Sequence, residues 1–122
     1  MAHSEPEARL FRILSNPARL DLLACLRDGE ACVCHLEAAL GLRQAYISQQ
    51  LAVLRQAGLV QDRREGLNIY YRLAEPRLLP VLEAARQATG QSGLARRPQP
   101  IPLATCPCPK CSASAIAAAS PG

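Results

Sequence analysis

Before residue 58 and again from Pro76 to Thr89 apolar positions recur at helical spacing, and from Gly90 onward the pattern loses periodicity. After a loose arm over Met1 to Pro6, the spacing predicts a short helix from Glu7 to Leu14, with Leu10, Phe11, Ile13 and Leu14 on its apolar side. Ser15-Asn16-Pro17 breaks it, and Asn16 followed by Pro17 suits the N-cap and first turn of the next helix. That second helix, Pro17 to Arg27, is expected to bury Leu20, Leu22, Leu23 and Leu26, with Asp28-Gly29 as its stop. A third, short helix over Cys32 to Leu40 spaces Leu36 and Leu40 for burial, and Gly41 ends it.

The stretch from Gly41 to Val60 organises the chain. Ile47, Leu51 and Leu54 fall at i, i+4 and i+7, a helical stripe that demands burial. Opposite them Gln44, Ser48 and Arg55 share a face, with Gln49, Gln50 and Gln56 beside it. Amides, a hydroxyl and a guanidinium without a carboxylate suit base edges and phosphates in a major groove. A short helix, a glycine turn and a donor-rich second helix read as helix-turn-helix. An ordinary amphipathic helix with a solvated polar face has the same periodicity.

Leu59 to Arg64 and Asn68 to Leu73 form two extended runs joined at Glu65-Gly66, a hairpin signal. The hairpin carries Arg63, Arg64 and Arg72, placed to grip a phosphate backbone. Pro76 to Thr89 is a last helix with Leu78, Leu82 and Ala85 on one face, suited to packing against a second copy or within the chain. Residues 1–89 are therefore read as one domain, and residues 90–122 as a flexible Pro/Ala-rich tail with a cysteine cluster.

Composition narrows the function classes. The net charge of +4 is compatible with a polyanionic partner, and four aromatic residues argue against single-strand binding by base stacking. No apolar run approaches a membrane span and no signal-peptide core is present, so a cytoplasmic protein is expected. Six cysteines in a reducing compartment point to ligands or reactive thiols rather than disulfides. No Ser/His/Asp, paired-carboxylate or phosphate-loop constellation is present, so no enzyme is expected.

Helices followed by a hairpin and a last helix give a mainly α winged helix-turn-helix with a small β-hairpin wing. At this point the sequence resembles the ArsR/SmtB family of metal-responsive repressors. The residues that carry the resemblance are Leu14-Ser15-Asn16-Pro17-Ala18-Arg19-Leu20, Cys32-Val33-Cys34-His35-Leu36, Ser48-Gln49-Gln50-Leu51, Leu54-Arg55-Gln56-Ala57-Gly58-Leu59-Val60, Arg63-Arg64-Glu65-Gly66 and Tyr70-Tyr71-Arg72-Leu73. The resemblance implies a homodimer that reads an inverted repeat in double-stranded DNA and lets go when an inducer binds. By position it implies Gln44, Ser48 and Gln49 at base edges and Arg63 and Arg64 of the wing at phosphates. Arg43 departs from the family pattern. Many members carry a capping Ser there, and a basic residue instead reaches phosphate at some cost in capping.

Cys32-Val33-Cys34 resembles the inducer site of arsenic sensors in this family, Cys-Val-Cys-Asp-Leu-Cys, and its shorter form in cadmium and lead sensors. Glu37 stands at the third cysteine position and His35 replaces the Asp. Two residues apart in a helix point roughly 200° away from each other at about 3.6 residues per turn, so one ion joins both thiols only if the first turn loosens. The tail offers the missing ligands: Cys106, Cys108 and Cys111 lie within Cys106-Pro107-Cys108-Pro109-Lys110-Cys111, where prolines keep the run extended and Lys110 favours thiolates. Cys25, among leucines, reads as a small core hydrophobe. With these thiols and no convincing His site, trivalent arsenic or antimony leads, cadmium or lead follows, and zinc is less favoured. Two alternatives compete. One is a redox- or persulfide-sensing repressor of the same fold, though its usual last-helix cysteine is missing; the other is a metal-buffering protein.

Overall fold

The computed structural model describes residues 3–91, so Cys106, Cys108, Cys111 and the rest of the predicted tail lie outside the described residues. Helix α1 spans Glu5–Leu14, beginning two residues earlier than expected, with Pro6 in its first turn where no amide donor is missed. Helix α2, Pro17–Cys25, is capped by Asn16, whose Oδ1 accepts from the amides of Ala18 at 2.8 Å and Arg19 at 3.4 Å. It ends two residues short of the predicted Arg27, with Leu26 as its C-cap residue.

Next comes an element the periodicity does not announce. Ala31–Cys32 is a two-residue strand, β1, and only at Val33 does helix α3, Val33–Leu40, begin. Gly41 closes α3 at φ +65°, a left-handed position that a side chain would strain, with its amide donating to the Glu37 carbonyl at 2.9 Å. Helix α4, Gln44–Gln56, follows, then strands β2, Val60–Glu65, and β3, Asn68–Leu73, and finally helix α5, Leu78–Ala88.

The sheet is antiparallel in the order β1-β3-β2. Glu65 pairs with Asn68, so the hairpin loop is Gly66-Leu67 rather than Glu65-Gly66. Gly66 has φ +62°, the positive first position that a two-residue turn of this hand requires.

The core is helical. Leu22, Leu23 and Leu26 meet Leu36 of α3 and Ile47, Leu51 and Leu54 of α4, all at or near complete burial. Tyr71, Leu59, Val60 and Leu78 close it from the sheet side and from α5. Leu20 departs from expectation. It is 36% exposed and faces a groove lined also by Ala24, Leu79, Leu82 and Ala85 rather than the core. The groove's floor belongs to α2 and its wall to α5, so Leu20 points at the last helix instead of at α4.

Candidate nucleic-acid interface and thiol site

Helix α4 is positioned by α2 and α3, whose leucines take up its apolar stripe. Its outer face then carries Gln44, Ser48 and Gln49, all exposed as predicted, together with Tyr46, which the pattern of amides had hidden. In sequence Tyr46 stands between Ala45 and Ile47, so nothing local marks it as exposed. Arg43 stands at the N-cap position and makes no side-chain cap, consistent with the expected capping cost. Gln50 does not belong to the outer face. It is 9% exposed, and its Oε1 accepts from Arg19 Nε at 2.8 Å, while Arg19 Nη1 donates to the Ile13 carbonyl at 3.0 Å. One guanidinium thereby ties the end of α1 and the start of α2 to the middle of α4. Arg55 is likewise committed, to Asp62 of β2 at 3.3 Å.

Arg63 and Arg64 of the wing differ sharply. Arg63 binds Glu30 with two nitrogens, Nε to Oε2 at 3.3 Å and Nη2 to Oε1, and donates from Nη1 to Glu65 Oε2 at 2.7 Å. Its guanidinium carbon also lies 4.7 Å from the centre of the Tyr70 ring. The hydrogen bonds to Glu30 and then Glu65 raise its pKa further above the ordinary arginine range, so the charge is fixed but already countered. Arg64, next in the strand and on the opposite face, meets no carboxylate among the described residues and is exposed. Arg72 donates to Gln61 Oε1 at 2.7 Å. At the wing tip Leu67 is fully exposed.

The thiols meet at the start of α3. The expectation that Cys32 and Cys34 diverge inside a helix is corrected: Cys32 is the N-cap residue, extended at φ −81° and ψ 159°, and only Cys34 is helical. The extended residue turns its side chain back over the first turn, so Cys32 Sγ accepts from the His35 amide at 3.3 Å and lies 2.8 Å from Cys34 Sγ. Both sulfurs therefore lie on the same side of the first turn, within hydrogen-bond distance of each other. Cys32 is 2% exposed and Cys34 is half-buried. Cys25 is buried in the core as expected. Among the described residues no group of three His, Cys, Asp or Glu side chains is arranged to hold a metal ion; Cys32 and Cys34 are a pair of adjacent sulfurs.

With this geometry in hand, comparisons with known proteins are decisive for the family. The profile described as "Bacterial regulatory protein, arsR family" matches residues 16–62, the span from the α2 cap through α4 into β2. The solved structure of the transcriptional repressor BigR from Xylella fastidiosa is 39% identical, superposes with a TM-score of 0.58, and is matched over 70% of this chain and 88% of that one. The chain belongs to the ArsR family. A biofilm growth-associated repressor from Agrobacterium fabrum is 51% identical over 77 residues, 63% of this chain and 66% of that protein. The arsenical resistance operon repressor of Escherichia coli is 45% identical over 67 residues, 54% of this chain and 57% of that one. The matched stretch thus spans between half and two thirds of these two relatives. As a member of the ArsR family the protein is a winged-helix transcriptional repressor, and the described ArsR-type fold ends with α5.

Proposed function

We propose that this ArsR-family protein is a cytoplasmic, homodimeric repressor rather than an enzyme, and that it leaves an inverted-repeat operator when a thiophilic ion binds Cys32 and Cys34. The observation that carries the reading is the 2.8 Å approach of the two sulfurs at the N-cap of α3. Two thiolates facing one point suit trivalent arsenic or antimony, or cadmium or lead, better than zinc, which prefers four ligands or added nitrogen. A third sulfur comes from Cys106, Cys108 or Cys111. The name of the Escherichia coli relative, an arsenical resistance repressor, supports a metalloid within this range.

The switch is local. An ion takes the sulfur lone pair that now receives the His35 amide, so binding disturbs the first turn of α3, and α3 packs directly on α4. In the bound-operator state Gln44, Ser48 and Gln49 read base edges while Arg43 and Arg64 meet phosphates. The α2/α5 groove of Leu20, Ala24, Leu79 and Leu82, together with half-exposed Phe11 of α1, supplies apolar surface for the second copy. No helix among the described residues is long and apolar enough to cross a membrane.

The test is fluorescence anisotropy of the reduced full chain on an inverted-repeat promoter fragment, titrating arsenite, cadmium, lead and zinc separately. Release by a thiophilic ion, on the order of 5- to 150-fold in affinity, is expected, and Cys32→Ser and Cys34→Ser keep operator binding but lose that release. Equal release from both variants sinks the site. The same sulfur proximity favours one second reading, in which an oxidant joins Cys32 and Cys34 as a disulfide; release by peroxide, reversed by dithiothreitol and indifferent to metal, identifies it.

A further inference from the structure

The register of the sheet places three residues in one cross-strand row. Cys32 of β1 lies opposite Tyr70 of β3, and Tyr70 lies opposite Arg63 of β2. Directly paired residues share a face of the sheet, so the thiol, the phenol ring and the guanidinium stand side by side. Glu30, two residues before Cys32 and only 18% exposed, reaches across this row to bind Arg63 with two hydrogen bonds. A bidentate carboxylate–guanidinium contact fixes orientation as well as distance, and here Glu65 and the Tyr70 face hold the remaining sides of the group.

The charges decide what Arg63 can do. One guanidinium is bound by two carboxylates, Glu30 and Glu65, so its charge is already countered and is no surplus cation for a phosphate. Arg64 points to the other face with its charge uncountered among the described residues. Two neighbouring arginines that look equivalent in sequence therefore have different roles.

We infer that Glu30 and Arg63 form a clamp through which the thiol end of α3 holds the wing, with Arg63 a wing-positioning residue and Arg64 the wing's phosphate contact. Displacement of β1 at Cys32 passes to the wing through this clamp, and separately through Asp62, the register partner of Tyr71, to Arg55 on α4. The coupling half of this inference rests on the proposed thiol-responsive reading. The positioning half does not.

Two measurements on the full-length protein separate them. The first is the salt dependence of operator affinity without any ion. Arg64→Gln lowers the slope of log affinity against log salt by about 0.9, the share of one phosphate contact, whereas the double variant Glu30→Gln/Arg63→Gln lowers affinity and leaves the slope unchanged. A fall of the same size in the double variant makes Arg63 a phosphate contact and overturns the clamp. The second uses cadmium(II) as probe. Glu30→Gln binds cadmium with wild-type thiolate-to-metal absorbance, yet the loss of DNA affinity shrinks from about 5- to 150-fold to under about twofold. Wild-type release from Glu30→Gln overturns the coupling. If the unmodified protein shows no release by cadmium or arsenite, the thiol-responsive reading and the coupling fall together, and the salt slopes still decide whether Arg63 positions the wing.

Discussion

The two ends of α3 do opposite jobs by different chemistry. Its C-terminus is closed by backbone: Gly41 turns left-handed and its amide donates to the Glu37 carbonyl. Its N-terminus is made of side chain: Cys32 sulfur accepts the His35 amide, a weak acceptor in a place where oxygen usually serves. The first end fixes the angle between α3 and α4. The second can be rewritten by anything that competes for sulfur. The proposed release would therefore work from one firm pivot and one soft end on the same short helix.

The strongest way to break the contrast is to remove what both ends share. Leu36 is fully buried between them, and Leu36→Ala is expected to cost roughly 2–5 kcal/mol in urea unfolding, abolishing operator binding and response together. Next is the pivot alone. Gly41→Val places a branched side chain at φ +65°, expected to cost about 1–2 kcal/mol, and measured operator affinity falls with or without ion. The soft end gives a smaller stability effect with a larger functional one. Cys32→Ala loses a sulfur cap and costs about 0.5 kcal/mol, while Cys32→Ser restores an oxygen cap and recovers that stability without recovering ion response. Chemical denaturation alongside anisotropy separates the two losses.

The smallest effect lies outside α3 and serves as its control. Hydrogen bonds from the Arg77 side chain and amide pull the Glu75 carboxyl down from 4.5 to about 2. Since its folded pKa is depressed, its contribution is complete above about 4.5 and disappears as pH falls through about 2. Glu75→Gln therefore flattens the acid limb of the melting-temperature profile slightly, the pair being exposed, and leaves the ion response unchanged. A changed ion response would show that α5 also takes part in the switch.

The helices were legible because burial imposes their period. Ile47, Leu51 and Leu54 could be buried by only one rotation of α4, and that rotation then placed Gln44, Ser48 and Gln49 outside. Gln50 was not legible, since an amide that binds Arg19 looks the same in sequence as one that faces DNA, and its partner lies 31 positions away. Strand β1 escaped because two residues have no period to read. That miss also produced the wrong geometry for the thiols: a cysteine assigned to a helix diverges from its neighbour, whereas one at the N-cap converges on it. Arg63 and Arg64 were alike for a similar reason, because the carboxylate that distinguishes them is Glu30, brought in by the fold across 33 positions.

That a sulfur caps α3 has a consequence for how the proposed thiol response could evolve. In the proposed response, the free energy that holds the first helical turn and the free energy that would bind the ion draw on the same lone pair. Substitutions at Val33 or His35 that strengthen the turn without touching a ligand therefore raise the concentration of ion needed to trip the switch, and those that weaken it lower the threshold by the same amount. The set point of the response is adjustable through ordinary helix propensity, in steps of tenths of a kcal/mol, while the ligands themselves stay untouched.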